Sequence, residues 1–140
     1  MIDLLAAVKA KLEATAAFKR VFYSEYQSAE GDYVPRSFPL PAVGIKDRGE
    51  GNPEDRTAGG MTRFFDFRVV VYSPLPGRET GDGLMPILAL GEQVRQALHR
   101  HCLGLNGICR YEGAEESTAI EFKARAAMRL GLNFSYELEG

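Results

Sequence analysis

Tryptophan is absent from the 140 residues, and histidine and cysteine occur only twice each. Two cysteines, Cys102 and Cys109, are too few for a disulfide scaffold, and their use suits a reducing compartment. No apolar run reaches the roughly 18 residues that a membrane span needs. The opening MIDLLAAVKAKLEA places Asp3 early and Lys9 and Lys11 within the apolar stretch, unlike a secretory leader, whose positive charge precedes an unbroken apolar core. A basic excess is also missing: 17 Lys and Arg stand against 19 Asp and Glu, a formal net charge of −2, which disfavours a dedicated duplex-DNA binder. What remains is an ordinary globular composition, 45% apolar and 26% charged, at a length that fills one core. A soluble protein folded in a cytoplasm, with one domain over residues 1–140, is the expectation.

Ile2, Leu5, Val8 and Leu12 recur at helical spacing among alanines, predicting a helix over Asp3–Ala17. Val21, Phe22, Tyr23 and Tyr26 make a short β-prone run. Pro35, Pro39 and Pro41 then mark an extended, non-central segment, and AVGIKD from Ala42 predicts a short strand with Val43 and Ile45 on one face. Asp47–Thr62 is rich in Gly and charge and almost devoid of apolar groups. It reads as a long loop, and such loops are either functional or disordered.

The strongest strand pattern is RFFDFRVVVY, Arg63–Tyr72. Phe65, Phe67, Val69 and Val71 form an apolar face, whereas Phe64, Asp66, Arg68, Val70 and Tyr72 form a mixed one. That mixed face is either wet or meets another subunit. Ser73–Gly83 reads as a second loop. A long helix is expected over Leu84–Leu103, with Ile87, Leu90, Val94, Ala97, Leu98 and His101 near one face, positive charge at His99–His101 and a stop at Gly104. A turn at Asn106–Gly107 and a short strand through Ile108 and Arg110 follow. Met128, Leu130, Leu132, Phe134, Tyr136 and Leu138 then alternate with polar or small residues as a final strand. Ala119–Ala127 reads as strand with a bulge near Ala126. The order α-β-β-β-α-β-β predicts an α+β domain in which two helices pack on one face of a mostly antiparallel sheet.

Chemistry-bearing patterns are sparse. His99, His101, Cys102 and Cys109 lack the CxxC or HxxxH clip of a zinc site and suit a helix end with a buried Cys102 better. GRETGDG, Gly77–Gly83, precedes a helix as phosphate loops do, but lacks the Lys-Ser/Thr of a P-loop, and Asp82 opposes an anion. No GxSxG elbow occurs. Glu115–Glu116 and Glu54–Asp55 have no apolar surround to tune a catalytic carboxyl. Phe64, Arg68 and Tyr72 alone approach a base-stacking platform. No catalytic, cofactor or metal-binding residue is expected, and no enzyme. Two polar loops and a strand with an ambiguous second face fit a subunit that docks to neighbours.

MIDLLAAVKAKL, the Pro-rich edge PLPAVGI, the polar loop, the aromatic-acid-aromatic opening of RFFDFRVVVYS, the helix ILALGEQVRQALHRH and the closing MRLGLNFSYEL together resemble the tail-terminator (tail-completion) proteins of tailed bacteriophages. Tail-tube and head-tail joining proteins share the layout. The resemblance implies an α+β sandwich that assembles as a ring, typically a hexamer. Such a ring caps the tail tube, ends its polymerisation and meets the head connector, without catalysis or cofactor. It implies a virion-tail protein assembled in the bacterial host cytoplasm, with no membrane partner. DNA would pass through its ring without sequence-specific binding, which the net charge of −2 suits.

Asp47–Thr62, Ser73–Gly83 and the mixed face of Arg63–Tyr72 are then the expected contact surfaces, with Arg48, Arg56, Asp66, Arg68 and Arg78 as candidate subunit contacts. Asp66 and Arg68, opposite in charge, are placed to pair across a subunit boundary and fix register. The rival readings are a small α+β enzyme or ligand-binding protein with a pocket between sheet and helices, and an adaptor that takes a peptide at a sheet edge.

Overall fold

In a computed structural model of the chain, the structure describes residues 2–23, 27–28, 31–32, 39–50, 63–75, 81–122 and 125–138. Helix α1 spans Ile2–Ala14 and buries Leu4, Val8 and Leu12, one residue per turn. It ends three residues before the expected Ala17. The Thr15 hydroxyl donates to the Leu12 carbonyl (2.7 Å), and Ala16 turns to a left-handed φ of 59°, which stops the helix.

Strand β1 (Arg20–Tyr23) is followed by the two-residue strands β2 (Gln27–Ser28) and β3 (Gly31–Asp32), which pair only with each other. Strands β4 (Ala42–Glu50) and β5 (Arg63–Pro74) precede helix α2 (Gly81–Leu98), and β6 (Gly107–Ala114), β7 (Thr118–Phe122) and β8 (Arg125–Leu138) complete the order. The main sheet has six strands in the order β1-β4-β5-β8-β6, with β7 also on β8. Only β1 and β4 pair in parallel. The α+β class with two helices over one mostly antiparallel sheet is therefore what the chain adopts, β2, β3 and β7 being additional short strands.

Both helices cover one face. Leu4, Val8 and Leu12 of α1 and Ile87, Val94 and Leu98 of α2 pack on Val43, Ile45, Phe65, Phe67, Val69 and Val71, and on Met128, Leu130, Leu132, Phe134 and Tyr136. The alternation of β5 and β8 sends every second residue to this side. Phe67 lies opposite Phe134 in register, and their rings stack at 5.4 Å. Gly91 lets α2 approach the sheet, since a Cβ there would stand 2.7 Å from Leu130 Cδ2.

Several boundaries differ from the sequence reading. Asp47–Glu50 is the end of β4, not loop, with a bulge before Glu50; 51–62 lie outside the described residues. Of Ser73–Gly83, Ser73 and Pro74 belong to β5 and Gly81–Gly83 open α2, while 76–80 lie outside the described residues. Ala119–Ala127 is not one bulged strand. β7 and β8 pair antiparallel, Phe122 opposite Arg125, so the chain reverses between them.

Helix α2 stops at Leu98, before the expected Leu103, because the following residues bond to β6 instead. Arg100 N–H donates to the Cys109 carbonyl (2.7 Å) and Cys109 N–H to the His101 carbonyl (2.9 Å). Tyr111 N–H donates to His99 Nδ1 (3.0 Å). His99–His101 thus lie along the edge of β6 that β8 leaves open and satisfy its backbone groups there.

Candidate functional site

The sheet face away from the helices is the mixed face of β5, and it is divided. Towards the end of the strand, Val70 and Tyr72 are buried with Leu40, Ala42 and Ala127. Phe22 of β1 stacks on Tyr72 at 6.2 Å. This part is a second small core, neither wet nor available to a neighbour. Towards the start of β5 the same face is polar. Lys46, Arg68 and Asn133 lie in one row across β4, β5 and β8, and Asp66 lies opposite Ser135.

Arg48 leaves β4 and crosses over β5, its Nη1 donating to Asn133 Oδ1 on β8 (2.9 Å). Arg48, Asp66, Glu112 and Asn133, with the backs of Phe67 and Phe134, line a cup of about 240 Å³. That is below the roughly 300–1,000 Å³ of ordinary small-molecule sites. Beside it, Arg68 Nη1 donates to both carboxylate oxygens of Glu115, at 3.2 and 3.3 Å. The Arg68 side chain is only 16% exposed and that of Glu115 36%. Glu115 follows β6, and its N–H is held by the Gly131 carbonyl (2.8 Å). Its carboxylate occupies the space that a Cβ at residue 131 would take, so glycine at this point of β8 lets Glu115 lie across the strand and reach β5. At the rim Arg110 pairs with Glu137 (3.2 Å). Acids and bases interleave over this surface, a pattern that sets register between proteins rather than collecting phosphates.

Of the five residues expected as contacts, Arg48, Asp66 and Arg68 come together on this polar patch. Arg56 and Arg78 lie outside the described residues. Arg68 uses its charge on Glu115 within the chain. Glu115, read from sequence as solvated charge, is an integral part of the patch, as is Asn133. The outward phase of the β8 alternation points to Asn133, but nothing local points to Glu115.

The His99, His101, Cys102 and Cys109 set is dispersed. His99 Nδ1 is taken by Tyr111, Cys102 is exposed rather than buried, and Cys109 is buried on the helix side. Both thiols are free, and burial pushes that of Cys109 up from 9.0 to about 12. The space between α2 and the sheet holds a groove of about 190 Å³, also small, lined by Leu88, Gly91, Tyr111, Leu130 and Leu132.

A solved chain described as "Virion of native gene transfer agent (GTA) particle" is similar over nearly the whole length. The match covers 98% of this chain and 95% of that one, with 22% identity and a TM-score of 0.53. At that identity the likeness shows a shared fold. No family model and no curated protein matches.

Proposed function

We propose that this chain is a structural protein of a tailed phage or phage-like virion, and within it the terminator that caps the tail tube as a ring. The observation that carries the reading is the end-to-end fold likeness to a chain of a gene transfer agent virion. The sequence pattern of the tail-terminator proteins points the same way, and so does a polar patch of interleaved charge built for a protein surface. On this reading the chain has no catalytic role. Its partners are further copies of itself, probed first as a hexamer, the tail tube protein and the head-tail connector, with DNA passing through the ring. The patch around Arg48, Asp66 and Arg68 is one contact surface, and the segments holding Arg56 and Arg78 are the others.

Complementation of a tail-assembly-defective phage tests it. Tubes of uncontrolled length without the protein and of fixed length with it are expected. Fixed-length tubes in its absence would remove the terminator role, and heads that fail to join such tubes would point to a joining protein instead.

A further inference from the structure

The two side edges of the sheet differ in chemistry. On the β6 side, α2 exposes Leu84 (38%), Met85 (72%) and Leu88 (43%), although the rest of its apolar stripe is buried. Leu84 and Leu88 are one turn apart, and Leu88 opens into the groove that runs over Leu130 and Leu132 to Tyr111. Glu115 and Glu116 stand at the end of that groove, and Glu116 is exposed. The opposite side ends at β1. There Tyr23 is 50% exposed, with Lys9 Nζ 5.5 Å from its ring centroid. Lys19 and Arg20, both exposed, precede it. One edge is therefore apolar with an acidic rim, and the other is aromatic with a basic rim.

We propose that the groove between α2 and β6 of one copy receives the β1 edge of the next copy, with Tyr23 as the anchor on the Leu84–Leu88 surface and Lys19 facing Glu116. The proposal rests on the ring reading and names the joint within it. Two different, complementary patches at opposite edges of one sheet make a head-to-tail contact, which closes into a ring when the rotation per subunit divides the circle. A self-paired dimer would bring like charges together instead. The joint is made by side chains, because His99–His101 already occupy the β6 backbone edge and leave no room for strand addition there. Burying a half-exposed tyrosine against leucine and methionine supplies the anchor, and the charged rims set orientation.

Charge reversal separates this joint from every other arrangement. Glu116→Lys and Lys19→Glu chains are prepared separately in a Cys102→Ser background. Association is measured by sedimentation over a concentration series, and proximity by a disulfide between Tyr23→Cys in one chain and Leu88→Cys in another. Each charge variant alone is expected to associate about tenfold more weakly than the parent. An equal mixture is expected to recover, since both of its contacts then pair opposite charges, and the disulfide is expected between the two different chains.

Recovery of neither association nor cross-link overturns the proposal. So does faster Tyr23→Cys self-linking, which would mean a two-fold dimer. A folded Met85→Glu/Leu88→Glu chain that still associates as the parent does overturns it as well, and one that associates normally but loses tail function assigns the groove to another virion protein. The terminator reading stands or falls separately, on tube length with the unsubstituted chain.

Discussion

Phe67 and Arg68 are neighbours in β5, yet they belong to surfaces governed by different rules. Phe67 is fully buried and stacks on Phe134 across the strand pair, inside a core that both helices close. Arg68 faces the other way, is held by a glutamate 47 residues distant, and sits beside a shallow polar cup. The helix-side face is specified by periodicity alone. The opposite face is specified by which strand lies next to which, and the chain divides it into a small apolar core around Tyr72 and a charged patch around Arg68. A face left polar in the free chain while its other half is sealed in cis is a surface with a reserved use.

The largest break in this contrast is Phe67→Ala. It removes a fully buried ring from a stacked pair and is expected to cost about 3–5 kcal/mol in chemical denaturation. A loss below about 1 kcal/mol would mean that the helix-side face is not the close-packed core.

A smaller effect comes from alkali. Cys109 faces the helices and its thiol is held up at about 12 by burial, so the folded chain keeps a proton that the unfolded chain loses above 9.0. Stability from this group is complete below pH 9.0 and falls as pH rises towards 12, on the order of 1 kcal/mol per unit across that window. In the native protein a thiol reagent should label exposed Cys102 at once and Cys109 only on unfolding. Equal labelling rates would contradict the burial.

The smallest effect sharpens the picture of the outer face. Arg68→Ala breaks a partly exposed pair and should cost about 1 kcal/mol, between the values for surface and buried pairs. Gly131→Ala should cost a similar amount by pushing the Glu115 carboxylate aside, and the double variant should cost little more than either alone. Full additivity would show that Gly131 acts on something other than this pair.

The sequence reading captured what is periodic. The buried alternation of β5 and β8, and the stripes Leu4–Val8–Leu12 and Ile87–Val94–Leu98, were legible because each is a local repeat. It missed what depends on pairing. The stripe of α2 continues through His101 in sequence, yet the helix ends at Leu98 because β6 competes for the same backbone. The reversal between β7 and β8 falls at Lys123–Ala124, where no Gly, Pro, Asn or Asp announces a turn. In the site, Arg48, Asp66 and Arg68 were legible as charged residues on or beside a strand otherwise rich in aromatic and branched residues. Glu115 was not, because its role requires β6 to sit on the far side of β8, with Gly131 leaving the way clear.

The short seal that His99–His101 place on β6 also bears on the life of the protein before assembly. A freshly made pool in a crowded cell offers many copies of the same sheet, and a bare strand edge would let them stack without limit. Closing that edge with three residues of the same chain withholds the seed for such fibres. Copies then wait in solution until side chains, with their stricter fit, choose the neighbour. A chain whose task is to end one polymer thereby avoids starting another.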